Sequence, residues 1–253
     1  VVLTVDPAIA IATPIGLAGS LLTEGDGNFL DWPTALTVSP HDGMIYVTDN
    51  SGGATCQGRC IRKVDPSTGQ VVGGAVVVGI GTLEGIAIDA TGDNLYYSDR
   101  PNRLSRLTWN ANTLSYGSPA GCNSLDGNVP QDPRHLVFDP SAGILVTDIN
   151  ASRVLQQATC NINASVVDYG SGNLMGRPWG IALGEPNDLY VSDDGTDEIL
   201  HMDMTTGTVS LFEWRRLDQP RGLVWLSGGP SAFADSLLIA NRNAPTVSST
   251  QGL

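Results

Sequence analysis

A six-residue pattern returns five times along this chain, so the chain has to fold as tandem copies of one unit. The copies are Met44-Ile45-Tyr46-Val47-Thr48-Asp49, Asn94-Leu95-Tyr96-Tyr97-Ser98-Asp99, Gly143-Ile144-Leu145-Val146-Thr147-Asp148, Asp188-Leu189-Tyr190-Val191-Ser192-Asp193 and the weaker Ser236-Leu237-Leu238-Ile239-Ala240-Asn241. Measured from Asp49 through Asp99, Asp148 and Asp193 to Asn241, the spacings are 50, 49, 45 and 48 residues. One four-stranded blade of a β-propeller takes about 40–50 residues.

Each copy follows another short apolar run, at residues 35–38, 86–89, 136–138, 181–183 and 223–226. Turn clusters such as Ser39-Pro40-His41-Asp42-Gly43 separate the two runs, which makes each pair a hairpin. Third strands are expected at 61–64, 104–107, 153–156 and 199–202, and fourth strands at 70–78, 113–116, 164–168 and 208–212. The fifth module runs out of chain. Residues 2–7 look like 61–66, and 9–13 look like a fourth strand. The expectation is therefore a single all-β domain over residues 1–253. It is one β-propeller of five four-stranded blades, six being the alternative, with its last blade closed by the N-terminal strands. Such closure removes an exposed sheet edge.

Composition narrows the function classes. Thirteen Lys+Arg against 26 Asp+Glu give a net charge of −13. A chain this acidic repels phosphate and has no basic stripe, so no nucleic-acid partner is expected. No apolar stretch of about 18 residues exists, so no membrane span is expected. The first residue is Val rather than Met, which suggests a processed chain or a fragment.

The modules resemble the NHL-repeat propellers. Leu83-Glu84-Gly85-Ile86-Ala87-Ile88-Asp89, followed by Leu95-Tyr96-Tyr97-Ser98-Asp99 and Asn102-Arg103-Leu104, fits that repeat. So does Arg177-Pro178-Trp179-Gly180-Ile181-Ala182 with Leu189-Tyr190-Val191-Ser192-Asp193. The resemblance implies the fold over nearly the whole chain. It leaves function open, because the family spans enzymes, receptors and scaffolds.

If first strands run down and second strands return, the start of one and the end of the other share a face. The repeated Asp then sits at a strand end, where it accepts hydrogen bonds from loop N–H groups. Site candidates are instead the equivalent positions that differ in chemistry: Glu84, Arg134, His135, Trp179 and Arg221. Mixed charge with one aromatic at a concave mouth suits a ligand. Trp179 would offer a flat apolar platform, and the arginines planar forks for carboxylates or hydroxyls. His41, His135 and His201 are the three histidines, and only His135 is expected near that mouth. One histidine cannot build a multi-His zinc site. No cofactor is expected. Similarity to lactonase-like propellers implies calcium as the alternative, with Glu84, Asp193 and Asn241 as partial ligands.

The four cysteines suggest Cys56–Cys60 as a small disulfide loop, with a metal pair as the alternative. Cys122 and Cys160 then pair by elimination, or are free, or link chains. Asn150-Ala151-Ser152 and Asn163-Ala164-Ser165 are N-glycosylation patterns. Together these point to an extracellular or cell-surface protein. The leading expectation is a non-catalytic binding or assembly module with a protein or glycan partner or a small polar ligand. The alternatives are an extracellular metal-dependent hydrolase or lyase, and a structural subunit that forms a homo-oligomer, filament or coat.

Overall fold

The computed structural model describes residues 3–5, 12–14, 30, 32–50, 58–78, 81–122, 130–157, 160, 166–169, 174–213, 217–226, 236–242 and 248–251. Among these, the regular elements are all strands, paired antiparallel. β1 (Leu3–Val5) and β2 (Ala12–Pro14) form a hairpin. Sheet one holds β3 (Pro33–Val38), β4 (Ile45–Asp49), β5 (Cys60–Val64) and β6 (Val77–Val78) in that order. Sheet two runs β7 (Leu83–Ile88), β8 (Asn94–Asp99), β9 (Arg103–Asn110) and β10 (Ser115–Tyr116), with β11 (Ala120–Gly121) also on β9. Sheet three has β12 (Pro133–Asp139), β13 (Gly143–Asp148), β14 (Arg153–Gln157) and β15 (Val166–Tyr169). Sheet four has β16 (Pro178–Leu183), β17 (Asp188–Asp193), β18 (Glu198–Asp203) and β19 (Thr208–Glu213). Sheet five has β20 (Pro220–Leu226), β21 (Ser236–Asn241) and β22 (Ser248–Gln251).

The inner strands pack side by side in chain order, β3 on β7, β7 on β12, β12 on β16 and β16 on β20. Sheets two, three and four are thus covered on both faces. Their second strands are buried nearly end to end, which is why they read as continuous apolar runs rather than as alternation. Alternate side chains go to opposite neighbours. Leu95 and Tyr97 join Tyr46 and Ile61 between sheets one and two. Tyr96, between them in sequence, joins Leu136 and Ile144 on sheet three. Likewise Leu189 and Val191 face sheet three, while Tyr190 faces sheet five.

In sheets two, three and four the hydroxyl of the recurrent Ser/Thr-Asp pair bonds the backbone of the sheet that follows. In sheet two the Ser98 hydroxyl accepts from the Gly85 N–H at 2.8 Å and donates to the Arg134 carbonyl of sheet three at 2.6 Å. Thr147 donates to the Trp179 carbonyl at 2.7 Å, and Ser192 to the Arg221 carbonyl at 3.1 Å. In sheet one Thr34 donates to the Leu83 carbonyl at 2.8 Å while touching Thr48, and the Asn50 amide both donates to the Leu83 carbonyl at 2.6 Å and accepts from the Leu83 N–H at 2.8 Å. The aspartates beside these hydroxyls are buried and accept loop N–H groups. Trp32 donates to Asp49, Gly81 to Asp99, Gln131 and Asp132 to Asp148, and Gly176 and Arg177 to Asp193. The inner strands approach so closely that a Cβ on Gly180 would lie 1.7 Å from the Arg221 carbonyl oxygen.

The end of the chain corrects one expectation. The third-strand position of the last sheet, assigned above to residues 2–7, is held by β22, and among the described residues β1 pairs with β2 instead. Only six residues separate β21 from β22. A local hairpin closes a far smaller loop than pairing residues from opposite ends of the chain, so it costs less entropy.

Cys122 and Cys160 are joined, linking the end of sheet two to the segment after β14. The Gln157 amide bonds the Cys122 carbonyl beside the link. Cys60 is disulfide-bonded as well, whereas Cys56 lies outside the described residues.

Candidate functional site

Thr34, Glu84, Arg134, Trp179 and Arg221 occupy one equivalent position, the second residue of β3, β7, β12, β16 and β20. In all five strands the register shifts here, between Pro33 and Ala35, Leu83 and Ile86, Pro133 and Leu136, Pro178 and Ile181, and Pro220 and Gly222. Such bulges re-aim side chains away from the sheet face. The loop flanks are equally regular. The residue after each Asp or Asn donates its N–H to the carbonyl just before the inner strand of its own sheet: Asn50 to Trp32, Arg100 to Thr82, Ile149 to Asp132, Asp194 to Arg177 and Arg242 to Gln219.

The structure brings Glu84, Arg134, Trp179 and Arg221 into one cluster, and His135 follows Arg134 on the same strand, within the influence of the Arg134 and Arg221 charges. Arg134 donates to Glu84 at 2.6 Å and to Asp132 at 3.0 Å. Arg100 holds the same Asp132 through Nε and Nη2 and lies 3.7 Å from Glu84. The guanidinium carbons of Arg134 and Arg221 stand 4.3 and 3.6 Å from the centre of the Trp179 ring. Arg221 donates to Asp194 at 2.8 and 3.2 Å, and Arg177 lies 3.6 Å from the other oxygen of Asp194. Trp179 is only 9% exposed. Its indole is covered and serves as the surface on which two cations rest.

Burial shapes the protonation states. Glu84 has its pKa raised, because desolvation outweighs the stabilising charges of Arg134 and Arg100. His135 is pushed down to about 4 by burial and by the charges of Arg134 and Arg221. Its imidazole is therefore neutral at pH 7, and its ring makes no hydrogen bond among the described residues. His41 and His201 lie elsewhere. His41 stacks on Trp109 and pairs with Asp93, and His201 pairs with Asp188.

Sequence reasoning missed Arg100, Asp132, Arg177 and Asp194. The available signal was their register: each stands directly after the repeated Asp or directly before the bulged strand. The oxygens suggested for calcium are engaged, Glu84 by Arg134 and Asp193 by the N–H groups of Gly176, Arg177, Gly195 and Thr196. Among the described residues no group of three or more His, Cys, Asp and Glu is placed to hold a metal ion. This donor set does not fit the six to eight oxygens of a calcium shell. Asn150 is exposed, as glycosylation requires, and Asn163 lies outside the described residues.

The fold is similar to several solved structures. A nidogen/laminin complex matches with a TM-score of 0.66 and 18% identity, over 87% of this chain and 75% of that one. A catalytically inactive virginiamycin B lyase from Staphylococcus aureus with quinupristin matches at 0.60 and 14%, over 87% and 69%. A streptogramin B lyase matches at 0.60 and 16%, again over 87% and 69%. At these identities the likeness carries the fold alone: the chain is a β-propeller. No family model matches the sequence, and no curated protein matches it.

Proposed function

We propose that residues 1–253 form a single NHL-type propeller of five blades, exported to the extracellular space or cell surface. It binds a protein partner, a glycan or a small polar ligand at the mouth where its inner strands begin, without turning it over. The observation that carries this reading is the clustering of Glu84, Arg134, His135, Trp179 and Arg221. Positions that serve the scaffold repeat from sheet to sheet, whereas these differ in chemistry and still converge. The Cys122–Cys160 bond supports an oxidising compartment. The nidogen/laminin likeness adds a propeller with a protein partner. The test is immobilised wild-type protein probed with a glycan array and with purified laminin, alongside Arg221→Ala and Lys63→Ala. Lys63 pairs with Asp42 at the far end of its sheet. A captured probe released by Arg221→Ala but retained by Lys63→Ala supports the mouth. Capture that ignores Arg221 and fails with Lys63→Ala moves the site away from it.

The two lyase likenesses favour a second reading, in which the mouth degrades a substrate. Incubation with quinupristin and a divalent cation, followed by chromatography, separates the two. Enzyme-dependent loss of the antibiotic would replace the binding reading.

A further inference from the structure

Charge at the cluster is layered. The side chains of Glu84, Asp132 and Asp194 are 10%, 8% and 1% exposed, whereas those of Arg100, Arg177 and Arg221 are 32%, 54% and 27% exposed. The carboxylates and Arg134, itself 6% exposed, lie underneath, and the side chains of Arg100, Arg177 and Arg221 reach solvent. In a chain of charge −13 with 13 basic residues, four arginines meet at this one place.

The two halves of the cluster are not equivalent. Arg100 and Arg134 face two carboxylates, Glu84 and Asp132, and balance them. Arg177 and Arg221 share the single carboxylate of Asp194 as their side-chain partner, the neighbouring Asp193 being taken up by backbone N–H groups. Their donors are also incompletely used. Arg221 commits Nε and Nη2 to Asp194, and Arg177 comes no closer to Asp194 than 3.6 Å, through Nε. A guanidinium carries five N–H groups, so planar donors remain on both. Asp194 and the Trp179 ring hold Arg221 in place before any ligand arrives, which lowers the ordering cost of binding. His135 lies within the fields of Arg134 and Arg221 with a ring that has no hydrogen-bond partner among the described residues.

We propose that Arg177 and Arg221, carried by Asp194 over Trp179, form an anion subsite that takes the carboxylate of a sugar acid. This rests on the mouth being the binding site and names the ligand class for it. Arg is suited to the carboxylate because its fork matches both oxygens. The covered Trp179 face argues against a sugar stacked on the indole and for recognition through the cations above it.

The experiment is calorimetric and NMR titration of the wild-type protein with D-glucuronate, D-glucose and sodium sulfate at pH 7.4 and constant ionic strength. Glucuronate is expected to bind at least 10-fold tighter than glucose, which differs from it by the carboxylate. It is also expected to bind tighter than sulfate, which lacks the hydroxyl pattern. Arg221→Ala and the more exposed Arg177→Gln should each weaken glucuronate 10-fold or more, and circular dichroism should show both variants folded. Equal binding of glucose and glucuronate, with shifts at Trp179 and His135, overturns the sugar-acid assignment while leaving the mouth as the site. Tighter sulfate binding reduces the subsite to a generic anion site. No binding of any probe up to 50 mM, or glucuronate affinity indifferent to both arginine variants, overturns the subsite. Shifts confined to residues outside the cluster would count against the mouth itself.

Discussion

Replacing Ser98 by Ala tests what holds one sheet to the next. The Ser98 hydroxyl is fully buried and bridges the Gly85 N–H of its own sheet to the Arg134 carbonyl of the following one, at 2.8 and 2.6 Å. Ala fits the space but leaves a buried donor and a buried acceptor unpaired. Each such group costs about 1–3 kcal/mol, and the carbonyl lies at the lower end because it has a second lone pair. The expected loss is about 3 kcal/mol, a large part of a total stability of about 5–15 kcal/mol. With an unfolding entropy of about 2.1 cal/mol/K per residue over 253 residues, the melting temperature should fall by about 6 °C. Urea unfolding followed by tryptophan fluorescence gives the change directly, provided the slope with denaturant is unaltered. Thr147→Val, which is nearly isosteric, should behave the same way because Thr147 donates to the Trp179 carbonyl. Ala240 holds the equivalent place in sheet five, so Ala240→Ser should change stability by no more than about 0.5 kcal/mol. If Ser98→Ala and Thr147→Val both cost under about 0.5 kcal/mol, the hydroxyls do not carry the contact between sheets and the reasoning fails.

Three further outcomes follow from the geometry. Gly180→Ala would set a methyl group 1.7 Å from the Arg221 carbonyl oxygen and should abolish soluble expression or cost more than about 4 kcal/mol, whereas Gly121→Ala, with nothing within 4 Å, should be near neutral in the same melt. Removing the Cys122–Cys160 link by a double Ala substitution frees a loop with a sequence separation of 38, worth about 4 kcal/mol in the chain-entropy account; a change below about 1 kcal/mol in non-reducing urea titrations would contradict that account. His135 has a folded pKa of about 4 against an ordinary 6.5, so the unfolded chain takes the proton first. Its contribution is full above about pH 6.5 and is lost as the pH falls toward 4. The stability gap between wild type and His135→Gln should therefore shift in favour of the variant across that window, and a gap independent of pH would refute the assignment.

The sequence exposed the fold because Tyr46, Tyr96, Tyr97 and Tyr190 belong to runs that must be buried on both sides, and only stacked sheets do that. The candidate cluster was legible at Glu84, Arg134, His135, Trp179 and Arg221, since an odd residue at a repeated position stands out. It was not legible at Arg100 and Asp194, which follow the conspicuous Asp of their repeats and look like ordinary loop charge. The covering of Trp179 could not be read either, because it depends on Arg134 and Arg221 arriving from the two flanking sheets. The last sheet departed from expectation because the Ser248–Gln251 segment is polar and carries no repeat signature, yet lies close along the chain to its partner β21.

Among the described residues, four apolar clusters are each shared by two adjacent sheets and a fifth centres on sheet one, a division that bears on how the chain reaches its native state. Energetically the molecule is a row of nearest-neighbour couplings rather than one core that must condense at once. Contacts that matter join residues about one module apart, so their sequence separation stays modest for a chain of this length and ordering can begin at any neighbouring pair and spread in both directions. Sheets two, three and four each pack between two described neighbours, and amide hydrogen exchange should run slowest in their second strands, which are buried nearly end to end.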